Sequence, residues 1–474
     1  MKKVLLLNLP NQEQITRKYM SSYTSPESLM PPLELISCGA VCREWHQAEV
    51  HLIDAIAEKL TLSETAQKIQ QLMPTIIISI VGFECYQEDI DAVAYLKNHN
   101  LDITYILLGY YPTQFPSETL LHSQADFVIL GEPELILNDL LKSLFDQQPL
   151  ALVNGIAYKQ NGIIKTQGIS GRIKDPNELP VPAYDLLPSG KYYEPLFAHP
   201  YGMIQTVRGC PYQCNFCVKS YGSKLSQLST ERIIEEIKLW IDLHGVKSIR
   251  FIDDTFTINK RRVLELCQAI ITNNIQIEWA CLTRTDGIDL ELLNWMKKAG
   301  CKRIYFGIES GSQRMLDIYK KNINVQEALA SLKLCRKAGI ETAAFFMTGH
   351  PKETEKDFEE TVAFAKAANL SYASYNPLKP YPGTEMFKEV KDLLEFSIYP
   401  YRNRWKDLLV DKNYDRRKQL FYSAFYLRFS FFTTNFLVLL KNSHQILILG
   451  VKLLRYLWWD KQFIIGGRKS VLDK

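Results

Sequence analysis

The 474-residue chain lacks any run of about 20 clean apolar residues, which argues against a membrane-spanning helix. Its first residues, MKKVLLLNLPNQ, have an apolar core of only Val4 to Leu7 and no small-residue cleavage site. They read as a first buried strand, not as a secretory leader. Ten cysteines dispersed over this length do not make a disulfide scaffold, so a reducing, cytoplasmic compartment is expected. A dominant charge is missing too. The net charge of +4 names no partner, and no nucleic-acid ligand is expected. The charge is unevenly spread: from residue 391 onward 16 Lys/Arg face 7 Asp/Glu, so a basic tail follows a slightly acidic body.

What is present is alternation. A hydrophobic share of 46% and a charged share of 23% suit a folded chain of several domains. KVLLLNL, EVHLIDA, TIIISIVGF, DITYILLG and ADFVILGE read as strands, the first buried on both faces. Between them PPLELISCGAVCREW, SETAQKIQQL, EDIDAVAYLKNHN and PSETLLHSQ read as helices. Pro31 and Pro32 open the first, and Ser63 is the expected N-cap of the second. Strands alternating with helices over short loops predict a doubly wound parallel sheet across residues 1–145.

Residues 146–195 read as a linker. NGIAYKQNGIIKTQG suits a hairpin turning at Asn161-Gly162, and DPNELPVPAYDLLP suits a segment pinned to a surface. A second series fills residues 196–390, with strands MIQTV, SIRFIDD, IEWACLTR, RIYFGIE, ETAAFFMTG and YASYNPLKP and helices between them. A complete eight-fold barrel usually takes about 250 residues, so a partial parallel barrel of six β/α units is predicted. Lys-Ala-Gly at 298–300 and 337–339 matches helix C-termini. The fold class is therefore α/β: a doubly wound sheet, a partial (β/α)6 barrel and a mainly helical region, 391–474. That basic, aromatic region has two readings. It packs on the barrel, or it lies on a membrane or grips an apolar molecule.

The densest chemistry is VRGCPYQCNFC. Cys210, Cys214 and Cys217 fall within eight residues, after a strand, where parallel barrels carry their active sites. Zinc wants four closed protein ligands, or three and a water. No fourth Cys or His is near, since His199 precedes the strand and His244 ends a later helix. A [4Fe–4S] cluster held by three cysteines leaves its fourth iron open, and an open iron is a reactive site.

This triplet, with Phe216 just before the last cysteine, is similar to the signature of radical S-adenosylmethionine (SAM) enzymes. The resemblance implies that the open iron chelates SAM. It also implies that an external reductant such as flavodoxin or ferredoxin drives SAM cleavage, and that the resulting 5′-deoxyadenosyl radical takes hydrogen from a small-molecule or lipid-like substrate. It carries roles to the barrel rim as well: Asp253 and Asp254 toward the methionine amine, and Arg284 toward a carboxylate. Glu309 and Ser310 would face ribose or the methionyl group, and Gly349 and Phe216 the adenine. For each polar residue the alternative is a rim salt bridge or cap.

The first 145 residues resemble the cobalamin-binding domain that precedes the barrel in one branch of that superfamily, through MPPLELISCGAVCRE, TIIISIVGFE and ILLGYYPTQFPSETLLHSQADFVILGEPE. Such sheets bind ligands outside the carboxyl ends of their strands, so Asn11, Phe83, Gly109 and Glu132 are the expected corrinoid-facing residues. Glu34 and Tyr110 stand where the family often has glycine. The Asp-x-His-x-x-Gly motif of a lower axial histidine is missing, so no histidine ligand from that motif is expected. The resemblance implies cobalamin-dependent methyl transfer to an unactivated carbon. The alternatives are a rearranging or cyclising radical SAM enzyme that no longer binds cobalamin, and a non-enzymatic, redox-sensing iron–sulfur module. With the tail on a membrane, the cytoplasmic protein would be membrane-peripheral.

Overall fold

A computed structural model of the chain describes residues 2–17, 22–24, 28–99, 102–168, 172–219, 221–393 and 413–428. Five parallel strands form the N-terminal sheet: β1 (Lys3–Asn8), β2 (Glu49–Asp54), β3 (Ile76–Ile80), β4 (Thr104–Leu108) and β5 (Phe127–Ile129), in the order β2-β1-β3-β4-β5. Their apolar runs are buried on both faces because helices cover both sides of the sheet. The order reverses between β1 and β3, and such a switch point opens a crevice at the carboxyl ends.

Two findings refine the sequence reading. The hairpin β6 (Ile156–Gln160) and β7 (Ile163–Gln167) adds antiparallel to β5, so the sheet runs past residue 145. The apolar edge of β5 needs a partner, and the hairpin supplies it. Its turn is Asn161-Gly162, with φ of 54° and 77°. Helix Leu62–Leu72 is capped by Thr61, two residues before Ser63. Glu64 bonds back to it, which completes a capping box.

Six parallel strands follow in sequential order: β8 (Tyr201–Ile204), β9 (Ser248–Phe251), β10 (Glu278–Thr283), β11 (Cys301–Glu309), β12 (Glu341–Thr348) and β13 (Tyr372–Pro377). This is the partial barrel. Residues such as Phe251, Trp279, Phe306 and Phe346 pack outward against the helices in the largest core. Ala280, Tyr305 and Ala343 cluster on the inner side around Phe197. The Tyr305 hydroxyl donates to Glu194 (3.0 Å), which also faces Arg250 at 3.4 Å. The segment 194–197 thereby closes one end of the lumen, and the carboxyl end is left for chemistry.

A six-stranded barrel leaves its last strand with a bare edge. Helix Tyr414–Tyr426 covers it. The Tyr426 hydroxyl bonds to both the N–H and the C=O of Ala373 (3.2 and 3.0 Å). Tyr422 accepts from the Tyr375 N–H, and Tyr414 donates to its C=O, each at 3.2 Å. Three hydroxyls on one helix do the bonding of a missing seventh strand. This part of the basic tail therefore packs on the barrel. Residues 394–412 and 429–474 lie outside the described residues, and with them most of the stretch read as a membrane surface. Among the described residues no helix is long and apolar enough to cross a membrane. Tyr426→Phe should cost about 1–3 kcal/mol in urea melts, because it strips both backbone groups of Ala373 of their partner.

Candidate functional site

The cysteine loop leaves β8 under tight control. The Asp253 carboxylate, fully buried beneath it, accepts from the backbone N–H groups of Thr206 (2.6 Å) and Val207 (2.8 Å) and from the Thr206 hydroxyl (2.5 Å). Arg262 bonds the same hydroxyl at 3.0 Å. Val207–Arg208 pairs antiparallel with Ser226–Gln227, which closes the loop at its base. Gly209 sits at φ 89°, and a Cβ there would stand 2.2 Å from the Lys224 carbonyl, so only glycine fits. Asn215 fastens the middle: its N–H and side-chain amide donate to Tyr319 O (3.2 Å) and Ile318 O (2.9 Å), and its C=O accepts from Met386 N–H at 2.9 Å.

Cys210 and Cys214 are partly exposed and Cys217 is more so. Yet Cys217 is surrounded by protein, and burial, helped by Asp254 and Cys214, pushes its thiol up to about 12. Burial raises Cys214 as well, against the pull of Lys321 and Arg284. Iron must therefore displace protons to bind. Among the described residues no three His, Cys, Asp or Glu side chains meet closely enough to hold one metal ion. A closed four-ligand zinc site is thus not formed among the described residues. Three thiols within mutual electrostatic reach fit a cluster of several irons.

Around this loop the expected rim residues separate into groups. Asp254 lies within electrostatic reach of Cys217, whereas Asp253 is spent on the loop. Arg284 bonds Asp286 (2.8 Å) and Lys321 O (2.8 Å), and its guanidinium lies 3.7 Å from the Tyr212 ring centroid. Its Nη1 is buried without a hydrogen-bond partner. Glu309, at φ 70°, accepts from Lys321 Nζ at 2.9 Å. Ser310 bonds Thr361 and Ser312 and serves the turn after β11. Gly349 at φ 100° donates its N–H to Glu353 (2.6 Å). Phe216 packs edge-on to Tyr319, with ring centroids 5.6 Å apart.

Lys321 is the residue that the sequence reading missed. Burial pulls its ammonium down, but Glu309 and Cys214 outweigh burial and hold it above the ordinary lysine value. No local motif marks it. The trace it leaves is Gly307, where a Cβ would stand 2.6 Å from Glu309 Oε1 and 3.0 Å from Lys321 Nζ.

The switch point of the N-terminal sheet carries a cleft of about 1520 Å³. It is lined by Asn11, the 55–62 loop, Glu84 and Tyr193, among others, and among the described residues no histidine lines it. Its surroundings are rigid: Arg17 grips Asp89 through two bonds (2.9 and 2.6 Å), and Asn8 and Tyr192 hold Asp54, each at 2.8 Å. Of the four expected corrinoid-facing residues Asn11 lines the cleft. Phe83 is buried beside Glu84, 4.7 Å from the Tyr381 ring. Gly109, at φ 136°, lets the chain turn where a Cβ would stand 2.5 Å from Val81 O. Glu132 is buried between Arg208 (3.3 Å) and Arg172 (3.4 Å) and ties the sheet to the cysteine loop. Glu34 lines a small cavity with Glu134 and Arg208, not the large cleft, and the Tyr110 hydroxyl donates to Pro382 O.

Comparison with known proteins agrees with this geometry. The family model described as the radical SAM superfamily matches residues 204–365. An uncharacterized methyltransferase, PH0819, of Pyrococcus horikoshii is 34% identical over 388 residues, 81% of this chain and 82% of that one. The anaerobic magnesium-protoporphyrin IX monomethyl ester cyclase of Cereibacter sphaeroides is 26% identical and covers 83% of this chain and 66% of its own. Among solved structures, OxsB with aqua-cobalamin and SAM bound matches with a TM-score of 0.67 at 21% identity, over 83% of this chain and 55% of that one. TsrM from Kitasatospora setae matches with a TM-score of 0.69 at 16% identity, over 83% and 76%. The chain thus spans about half of OxsB and about two thirds of the cyclase. Identity of 34% across most of both chains, on a barrel whose first loop presents the three cysteines, establishes that the chain belongs to the radical SAM superfamily.

Proposed function

We propose that the loop of Cys210, Cys214 and Cys217 holds a [4Fe–4S] cluster and that the protein methylates an unactivated carbon of a small-molecule or lipid-like substrate with the help of cobalamin. The carrying observation is the loop itself: three solvent-reachable thiols, within electrostatic reach of one another, at the carboxyl end of the barrel. Bound there, the cluster and SAM supply a 5′-deoxyadenosyl radical, and cobalamin supplies a methyl carrier. The chain's own residues orient and enclose. The buried Lys321 ammonium fits the SAM carboxylate, with Arg284 Nη1 beside it. Asp254 suits the amine, Glu309 the ribose or methionyl group, and Phe216 and Gly349 the adenine. Asp253 and Arg262 keep the loop in register.

The switch-point cleft supports the cobalamin part. Its volume of about 1520 Å³ exceeds the roughly 300–1,000 Å³ of an ordinary small-molecule pocket. The cofactor would take no histidine from its walls. The similarity to relatives named methyltransferases favours methyl transfer, and the similarity to a cyclase keeps ring closure as the second outcome. An external reductant such as flavodoxin or ferredoxin is the implied partner.

Anaerobic reconstitution with iron, sulfide and hydroxocobalamin, then SAM and reductant, tests the reading. 5′-Deoxyadenosine together with S-adenosylhomocysteine is the expected pair of products. 5′-Deoxyadenosine alone, from protein that retains no corrinoid absorbance after gel filtration, would move the conclusion to a cobalamin-free radical enzyme.

A further inference from the structure

Glu84 belongs to two places at once. It stands in the wall of the large cleft, and it reaches across to the barrel, where its Oε1 accepts from Lys379 Nζ (3.1 Å) and from the Tyr381 hydroxyl (3.4 Å). Side-chain exposure is 8% for Glu84 and 24% for Lys379, so this is an ion pair removed from water and not a surface contact. Burial pushes Glu84 up to about 7 and Lys379 down to about 8, which shows how far desolvation opposes the pair.

Lys379 lies in a strap, residues 378–384, that runs from β13 past the carboxyl ends of β3 and β4. Tyr381 packs on Phe83, and Pro382 O accepts from Tyr110. At Gly383, φ 86°, a Cβ would stand 2.9 Å from both Tyr110 OH and Gln114 Oε1. The strap then enters helix Glu385–Val390 through its Thr384 cap, and there Met386 N–H donates to Asn215 O inside the cysteine loop. Tyr110 and Tyr381 both lie within electrostatic reach of Cys217. A continuous path of packed and bonded groups therefore joins the cleft to the thiols, and Glu84–Lys379 fixes its near end.

We propose that Glu84 and Lys379 form a latch between the N-terminal sheet and the barrel that holds the 378–384 strap, and through it the cysteine loop, in the closed geometry. Both are positioning residues. They act on the thiols through Tyr381 and Met386 and touch no reacting atom. Because Glu84 also faces the cleft, a bulky ligand there meets the latch directly. The latch itself does not depend on what that ligand is.

The test is the alkylation rate of Cys217 in the full-length, cluster-free protein, followed by peptide mass spectrometry with iodoacetamide as the probe. Glu84→Gln and Lys379→Met should each speed alkylation about tenfold. The double variant should be no faster than either single, and Lys379→Arg should stay near the parent rate. The two single substitutions change charge in opposite senses, so equal acceleration reports geometry and not the local field. Rates within twofold of the parent, rates moving in opposite directions, or additive effects in the double variant would each overturn the latch. Circular dichroism melts identify a variant that has unfolded, and all three cysteines then react together at the rate of denatured protein. In that case Lys379→Gln takes the place of Lys379→Met, and Glu84→Gln alone at the parent rate overturns the proposal. The readout needs no cluster, so the latch stands or falls apart from the proposed function.

Discussion

Cys214→Ala is expected to abolish both iron–sulfur absorbance and SAM cleavage, while alanine at Cys267, Cys301 or Cys335 leaves both intact. The contrast follows from placement. Cys214 sits on the loop that Gly209, Asp253 and Asn215 fix in place at the carboxyl end of the barrel. Two remaining thiols cannot supply three irons. Cys267, Cys281, Cys301 and Cys335 also lie near one another, but between strands and helices, each at most 1% exposed. Cys267 and Cys335 are closed off from solvent, unlike Cys217, so they are thiols that iron does not reach and that fill core volume. Iron content, the visible spectrum and 5′-deoxyadenosine yield measure the difference. A Cys214→Ala protein that keeps a full cluster would remove the site from this loop.

The second large effect is expected at Lys321. Lys321→Met removes the partner of a buried carboxylate, and breaking such a pair costs about 3–5 kcal/mol. It also removes the ammonium proposed for the SAM carboxylate. A charge-assisted hydrogen bond of about 1.5–3 kcal/mol corresponds to a loss of roughly 10- to 150-fold in SAM affinity. Thermal melts read the first number and equilibrium dialysis with SAM reads the second. A lowered melt with unchanged SAM affinity would reduce Lys321 to a support for Glu309. Lys321→Arg keeps the charge and should recover most of the stability.

The large features of the fold were legible because they follow from periodicity. Strands buried on both faces write continuous apolar runs, as β1 and β3 do, and the six barrel strands announce themselves by recurring between helices. Finer choices were not legible where neighbours compete for one role. Thr61 and Ser63 both suit a cap, and the position of Glu64 three residues on decided for Thr61. Asp253 and Asp254 are adjacent and chemically alike. The path of the chain turns the first under the loop and leaves the second near Cys217. Gly109 and Glu132 sit at strand ends, as expected of ligand contacts, yet one serves a turn and the other a buried pair with Arg208. Lys321 and Lys379 were invisible for a different reason. Their partners lie on other elements, 12 and 295 residues away along the chain.

The tyrosines of helix Tyr414–Tyr426 have a consequence for how the protein behaves among its own copies. An open barrel ends in a row of backbone donors and acceptors on which a strand from another molecule can grow. Side-chain hydroxyls occupy that row at Ala373 and Tyr375 without offering a new one, so at this edge of the sheet the helix takes the place a strand from another molecule would need.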